Sequence, residues 1–109
     1  MVKDPYIYLN HIKKSINKIV IYTKDIDEET FYKNDIIQDA VIRQFEIIGE
    51  ATKRINIEFR SKYPKIPWKD MAGMRDILIH EYLNVDIGIL WETIKKDIPK
   101  LKKLLENIS

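Results

Sequence analysis

The residues most capable of chemistry in this sequence lie in one short stretch, from Met71 to Tyr82. On a helix with about 100° per residue, Arg75 falls in the centre of the apolar face, with Leu78 on one side and Ile79 on the other. A guanidinium does not lose its proton in a protein. A buried Arg75 must therefore bind an anion or several hydrogen-bond acceptors.

A second face of the same helix holds Gly73, Asp76 and His80. Asp76 and His80 are four residues apart, so the carboxylate can orient the imidazole and raise its pKa. Gly73 has no side chain and leaves room for a substrate or another chain. Arg75 and His80 lie about 140° apart on an ideal helix, so one straight helix does not direct both side chains to the same point. Both can act on one substrate only if the substrate wraps around the helix, or if a second copy of the helix lies across a two-fold axis. This geometry predicts a dimer.

Each of these residues also has an ordinary structural explanation. Arg75 is equally consistent with an ion pair to Glu46 or Glu50 of the preceding long helix. His80 fits a helix histidine without a catalytic role, and Tyr82 fits a core or interface position. Composition and periodicity alone therefore support a helical bundle with an unusual buried arginine.

The pattern of apolar residues predicts an all-α domain. The chain has 109 residues, which is enough for one hydrophobic core. Its three glycines and four prolines are too few turn residues for an all-β fold. Four segments have apolar residues every three or four positions, and they begin near residues 4, 34, 68 and 84. We predict an up-and-down four-helix bundle over residues 1–109, with four to five helices if the polar connection after the first forms a turn of its own.

The predicted second helix is the longest, and it extends without a break from about Asn34 to Lys62. Its apolar surface is wider than one neighbouring helix requires, because Ile36, Ala40 and Ile47 lie beside the main stripe. We predict that this extra apolar surface and the third helix, which extends from Trp68 to about Tyr82, together form a dimer interface. In the fourth helix, Pro99 is expected to kink the helix rather than end it, because the apolar pattern resumes on the same face.

The composition excludes several kinds of site. The sequence has no cysteine, and its two histidines, His11 and His80, are far apart. Disulfides, thiolate nucleophiles and close His/Cys metal pairs are thereby excluded, and we expect neither a metal nor a cofactor. No segment approaches the ~20 apolar residues of a membrane span, and no signal peptide is visible. We therefore expect a cytoplasmic protein with no membrane partner.

The net charge of +2 is too small to indicate a partner by itself. Five lysines are crowded into the predicted fourth helix, at positions 95, 96, 100, 102 and 103. They are typical of a solvated face near a helix C-terminus, and they also fit a surface that attracts phosphate.

The spacing Arg75-x4-His80-x-Tyr82 resembles the Arg-x4-His-x-Tyr motif of HepT-like proteins in the HEPN superfamily. Further similar stretches are Asp4-Pro5, Ile48-Gly49-Glu50-Ala51, Ile66-Pro67-Trp68, Gly73-Met74-Arg75-Asp76 and Asp97-Ile98-Pro99-Lys100-Leu101. The resemblance implies a helical homodimer that acts as a toxin, a metal-independent endoribonuclease. It also implies a partner, a minimal nucleotidyltransferase antitoxin that neutralises the toxin by adding AMP to the motif tyrosine.

Carried onto this sequence, the resemblance makes Arg75 and His80 the catalytic pair, Asp76 a supporting residue and Tyr82 the acceptor of AMP. His80 can act as base or acid at the ribose 2′-hydroxyl, and Arg75 can bind the phosphate oxygens. The expected products carry a 2′,3′-cyclic phosphate and a 5′-hydroxyl. The alternative function is a non-catalytic nucleotide- or partner-binding subunit of a nucleotidyltransferase complex, in which the same residues hold a phosphate without cleaving RNA.

Overall fold

The computed structural model describes the backbone of residues 4–80 and 86–108, and the side chains of residues 4–74 and 86–108. Every regular element in this part of the chain is helical, which confirms the predicted all-α class. The helices are α1 (Pro5–Thr23), α2 (Glu28–Lys33), α3 (Asp35–Arg54), α4 (Ile57–Ser61), α5 (Trp68–His80) and α6, which comprises Ile87–Glu92, a π-helical segment Thr93–Asp97 and Ile98–Glu106. The described residues thus form six helices rather than four or five, of which four are long.

Side-chain caps start the first two helices. The Asp4 carboxylate accepts a hydrogen bond from the backbone N–H of Tyr6 at 2.9 Å, and Pro5 occupies the first helical position. The polar connection after α1 contains α2, where the Asp27 carboxylate accepts from the backbone N–H of Thr30 at 2.8 Å. The suggested extra turn after the first helix is therefore a complete short helix.

The predicted unbroken second helix is wrong, because it divides at Ile55 and Asn56. Ile55 has an extended backbone, with ψ at 126°. The Asn56 side chain then accepts from the backbone N–H of Phe59 at 2.7 Å and starts α4. Ile55 and Phe59 are both buried, so the apolar spacing continues across the break and hides it in the sequence.

Arg60 stabilises this break. Its Nη2 atom donates to the carbonyl oxygen of Thr52 at 2.6 Å, and its Nε donates to that of Ile55 at 3.0 Å. The last carbonyls of a helix have no partner within the helix. The guanidinium supplies that partner and fixes α4 against the end of α3.

The expected continuation of the last helix past Pro99 is confirmed. The backbone N–H of Ile98 donates to the carbonyl of Thr93, five residues earlier, so the helix widens into a π-helical turn just before the proline. Ile98, Leu101 and Leu105 are all buried, which shows that the apolar face resumes in register.

One apolar core joins all six helices. It includes Leu9, Ile12 and Ile19 of α1, Phe31 of α2, Val41 and Ile48 of α3, Phe59 of α4, Met71 of α5, and Leu90 and Ile98 of α6. α3 lies between α1 and α5, and α1 also packs against the C-terminal part of α6. No helix in the described part of the chain is long and apolar enough to cross a membrane.

Candidate functional site

Trp68 fixes the start of α5, the helix that carries the motif. Its indole Nε1 donates to the carbonyl oxygens of Arg60 and Tyr63, both at 3.1 Å. Its ring lies edge-on to Phe59, with 6.4 Å between the ring centroids. The start of α5 is therefore tied to α4, and through Arg60 to the end of α3.

The inner face of α5 packs along α3. Met71 is fully buried in the core on this face. Position 75 lies one turn after Met71, and therefore on the same side of the helix. The backbone thus has position 75 on the same side of α5 as Met71, and the burial of the Arg75 side chain stays a prediction.

α5 is helical through His80, so the assumption behind the predicted geometry is confirmed. Positions 75 and 80 are five residues apart on one helix, about 7.5 Å along its axis and on different sides. The side chains of Arg75, Asp76 and His80 lie outside the described side chains, and Tyr82 lies outside the described residues altogether. Their contacts and roles remain predictions.

Space free of other described residues lies beside Gly73. A methyl group at this position would meet no atom of residues 4–74 or 86–108 within 4 Å. Glycine within a helix costs about 0.5–1 kcal/mol relative to alanine, and the packing of the described residues gives no reason for it. Gly73 precedes positions 76 and 80 by three and seven residues, which places the open space on the side of Asp76 and His80.

Acidic residues of α3 that could pair with Arg75 have neighbours of their own on that helix. A carboxylate oxygen of Glu46 lies 3.5 Å from Arg43, and one of Glu50 lies 3.3 Å from Arg54. The pKa of Arg54 is raised by hydrogen bonding to the Tyr8 hydroxyl and then to Glu50. Both predictions for Arg75, an anion site and a structural ion pair with Glu46 or Glu50, are consistent with these contacts.

No group of three or more His, Asp and Glu side chains within residues 4–74 and 86–108 is arranged to hold a metal ion.

The described chain resumes after the motif at Asp86, whose carboxylate accepts a hydrogen bond from the backbone N–H of Ile89 at 3.1 Å and starts α6. The Tyr32 hydroxyl lies so near Gly88 that a Cβ there would approach it to 2.7 Å. Sequence reasoning missed this contact between α2 and the start of α6, and its signal in the sequence was a glycine in the first turn of a helix.

Comparison with known proteins identifies the family. A family model described as Ribonuclease HepT-like matches residues 12–108, a range that includes all four predicted site residues. The chain belongs to the HepT-like ribonuclease family.

Relatives within this HepT-like group have names that refer to ribonucleases. The chain is 48% identical over 104 residues to "Putative RNase MJ1380" of Methanocaldococcus jannaschii, with 95% of each chain covered. It is 48% identical over 101 residues to "Probable ribonuclease HepT" of Thermococcus cleftensis, with 93% of this chain and 92% of that relative covered.

A longer relative is also similar. The chain is 59% identical over 103 residues to "Gamma-glutamylcyclotransferase and putative RNase MJ0434" of Methanocaldococcus jannaschii. The match covers 94% of this chain and 46% of that relative, so the chain spans about half of its length. No solved structure matches the chain.

Proposed function

We propose that this chain is a metal-independent endoribonuclease in which Arg75 and His80 carry out the reaction. The observation that carries the proposal is the Arg-x4-His-x-Tyr motif within the matched region, on a helix whose start is tied to the core through Trp68. The names of the HepT-like relatives support the same reaction class.

The proposed reaction is an internal transfer of the phosphodiester. His80 takes the proton of the ribose 2′-hydroxyl, and the 2′ oxygen attacks the adjacent phosphorus. Arg75 binds the non-bridging oxygens and offsets the charge that develops on them. The bond from phosphorus to the 5′ oxygen breaks and that oxygen takes up a proton, which leaves a 2′,3′-cyclic phosphate and a 5′-hydroxyl. Asp76 supports His80 by orienting the imidazole.

Dimerisation belongs to this proposal, because positions 75 and 80 lie on different sides of α5. Two copies related by a two-fold axis can bring Arg75 of one copy to His80 of the other. The open space beside Gly73 lets another chain or a substrate approach α5 closely. Ile36 on α3 is 81% exposed, and Ala40 and Ile47 are partly exposed, so this apolar surface is available for such a contact.

The proposed regulation is AMP addition to Tyr82 by a small nucleotidyltransferase that acts as antitoxin. Tyr82 follows Arg75 by seven residues, about two turns if the helical spacing continues. The added phosphodiester is an anion for which Arg75 is the nearest counter-charge in the sequence. The modification would thus compete with the RNA phosphate.

Incubation of the purified chain with RNA in EDTA, followed by analysis of the 3′ ends, tests the reaction. We expect cleavage to survive EDTA and to leave cyclic phosphates. Cleavage that returns only with added divalent metal would contradict the mechanism. Nucleotide binding without cleavage under any condition would instead support the non-catalytic subunit.

A further inference from the structure

Charge is distributed unevenly over the helices. α1 carries three lysines and no acidic residue. α6 carries five lysines and three acidic residues, whereas α2 and α3 together carry six acidic and four basic residues. α1 packs against the C-terminal part of α6, so the two helices that are rich in lysine are neighbours.

Three of these lysines have structural roles. Lys13 Nζ donates to the carbonyl oxygen of Ile108 at 3.3 Å. Lys95 Nζ donates to the carbonyl oxygen of Thr23, also at 3.3 Å, and so holds the end of α1 against α6. Lys96 pairs with a glutamate one turn earlier on its own helix, at 2.8 Å. These contacts explain why a lysine stands at each of these positions.

The other lysines have no such explanation. They make no hydrogen bond or ion pair with any residue in the described part of the chain: Lys14 and Lys18 on α1, and Lys100, Lys102 and Lys103 on α6. Unpaired lysines close together repel one another, so an anionic partner would stabilise them.

A groove lies between α1 and α6, and one of these five lysines, Lys102, lines it. Its volume is about 110 Å³, and it is lined by Lys13, Ile16, Asn17, Lys102, Leu105 and Glu106. Ile16 and Leu105 are buried and form an apolar floor, while the polar side chains form the rim. A groove with cationic side chains on its rim suits the charged backbone of a nucleic-acid strand.

We propose that this lysine surface, formed by Lys14, Lys102, Lys103 and the groove rim, binds the sugar–phosphate backbone of RNA away from the bond that is cut. The inference rests on the proposed function, which makes RNA the substrate. The unpaired cations of this surface are all lysine, a residue that protein–protein interfaces disfavour in comparison with arginine and aromatic residues. Lysine side chains are long point charges, which can follow a phosphate chain without reading its sequence.

The test compares two triple variants that lose the same charge. Lys14, Lys102 and Lys103 are changed to Gln in one, and the exposed lysines Lys33, Lys62 and Lys65 are changed to Gln in the control. The probe is a fluorescent single-stranded 2′-O-methyl RNA, which lacks the attacking hydroxyl and stays intact. Its Kd is measured over a range of salt concentrations, and unmodified RNA is assayed for cleavage in parallel.

We expect the first variant to bind the RNA about tenfold more weakly near 0.1 M salt. The slope of log Kd against log salt should fall by about 2, because each lost phosphate contact to a single strand lowers that slope by about 0.7. The control should keep the affinity and slope of the wild type. Unchanged binding by the first variant, or an equal loss in the control, would overturn the inference. Weaker binding of an acidic protein by the first variant, with its affinity for RNA unchanged, would also overturn the inference. Failure of the wild type to cleave unmodified RNA would contradict the proposed function separately.

Discussion

The indole nitrogen of Trp68 donates a hydrogen bond to the carbonyl oxygen of Arg60 over 3.1 Å. The guanidinium of Arg60 in turn donates to the carbonyl oxygen of Thr52 in the last turn of α3 and to that of Ile55, the residue that follows α3. These contacts connect the end of α3 to the first residue of α5, the helix that carries the motif. A change at either residue should therefore affect both stability and the position of the motif.

We expect Trp68→Phe to lower the free energy of unfolding by about 0.5–1.5 kcal/mol, because the indole hydrogen bond to the carbonyl oxygens of Arg60 and Tyr63 is lost while an aromatic ring remains. Each of these oxygens still accepts a backbone N–H, so neither is left without a donor. RNA cleavage should fall as well, since the start of α5 is no longer fixed. Trp91→Phe is the matched control, because Trp91 packs on Phe31 without an indole hydrogen bond to a described residue. Urea unfolding followed by circular dichroism measures the difference. Equal losses in the two variants would contradict this role for the Trp68 hydrogen bonds.

The sequence predicted the helical class, the start of the first helix near residue 4 and the continuation past Pro99, because each depends on local preferences of named residues. It missed the break at Asn56, because Ile55 and Phe59 keep the helical spacing on both sides. The role of Arg60 was also missed, since its contacts to Thr52 and Ile55 exist only after the break has formed.

The candidate site was predicted from the Arg75 and His80 spacing and from the family resemblance, and the structure places both positions on α5. The meeting of the two side chains could not be derived from one helix, because it depends on a second copy or a bound strand. Tyr32 was not recognised, because its proximity to Gly88 is a tertiary contact between two helices.

Gly73→Ala should change stability and activity in opposite directions. The methyl group would meet no atom of a residue whose side chain is described, so the variant should gain about 0.5–1 kcal/mol of helix stability. Cleavage should fall, because the methyl fills the space beside Asp76 and His80. Gly88→Ala is the contrast, since its methyl would displace the Tyr32 hydroxyl and bring no such gain. Urea unfolding, sedimentation and a cleavage assay measure these effects, and full activity with an unchanged dimer would refute this use of the space.

Asp27 predicts a pH dependence of stability. The hydrogen bond from the backbone N–H of Thr30 lowers the pKa of the Asp27 carboxyl, so the folded chain favours the charged form. Its contribution is present above the unfolded pKa of about 3.9 and is lost as the pH falls through the lower folded pKa. The stability difference between wild type and Asp27→Ala should therefore shrink from pH 7 to strongly acidic pH. Chemical unfolding at both values measures it, and a constant difference would disprove the assignment.

Tyr82 tests the proposed regulation. Incubation with the cognate transferase and ATP should add the mass of AMP at Tyr82 and abolish cleavage. Tyr82→Phe keeps the ring but has no hydroxyl to modify, so it should stay active after the same treatment. Intact-mass spectrometry and a cleavage assay give both readouts. If Tyr82→Phe is neutralised as fully as the wild type with no partner bound, the proposed modification is wrong even where the nuclease assignment stands.

Cleavage of RNA by the purified wild type and by His80→Ala, prepared identically and compared at equal concentration, tests the ribonuclease assignment most directly. The account predicts cleavage by the wild type and a loss of at least about a hundredfold in the variant, because a positioned acid or base contributes 10²–10⁴-fold. Circular dichroism should show the same helical content in both proteins. Equal cleavage by the two proteins, or none by the wild type, would contradict the account.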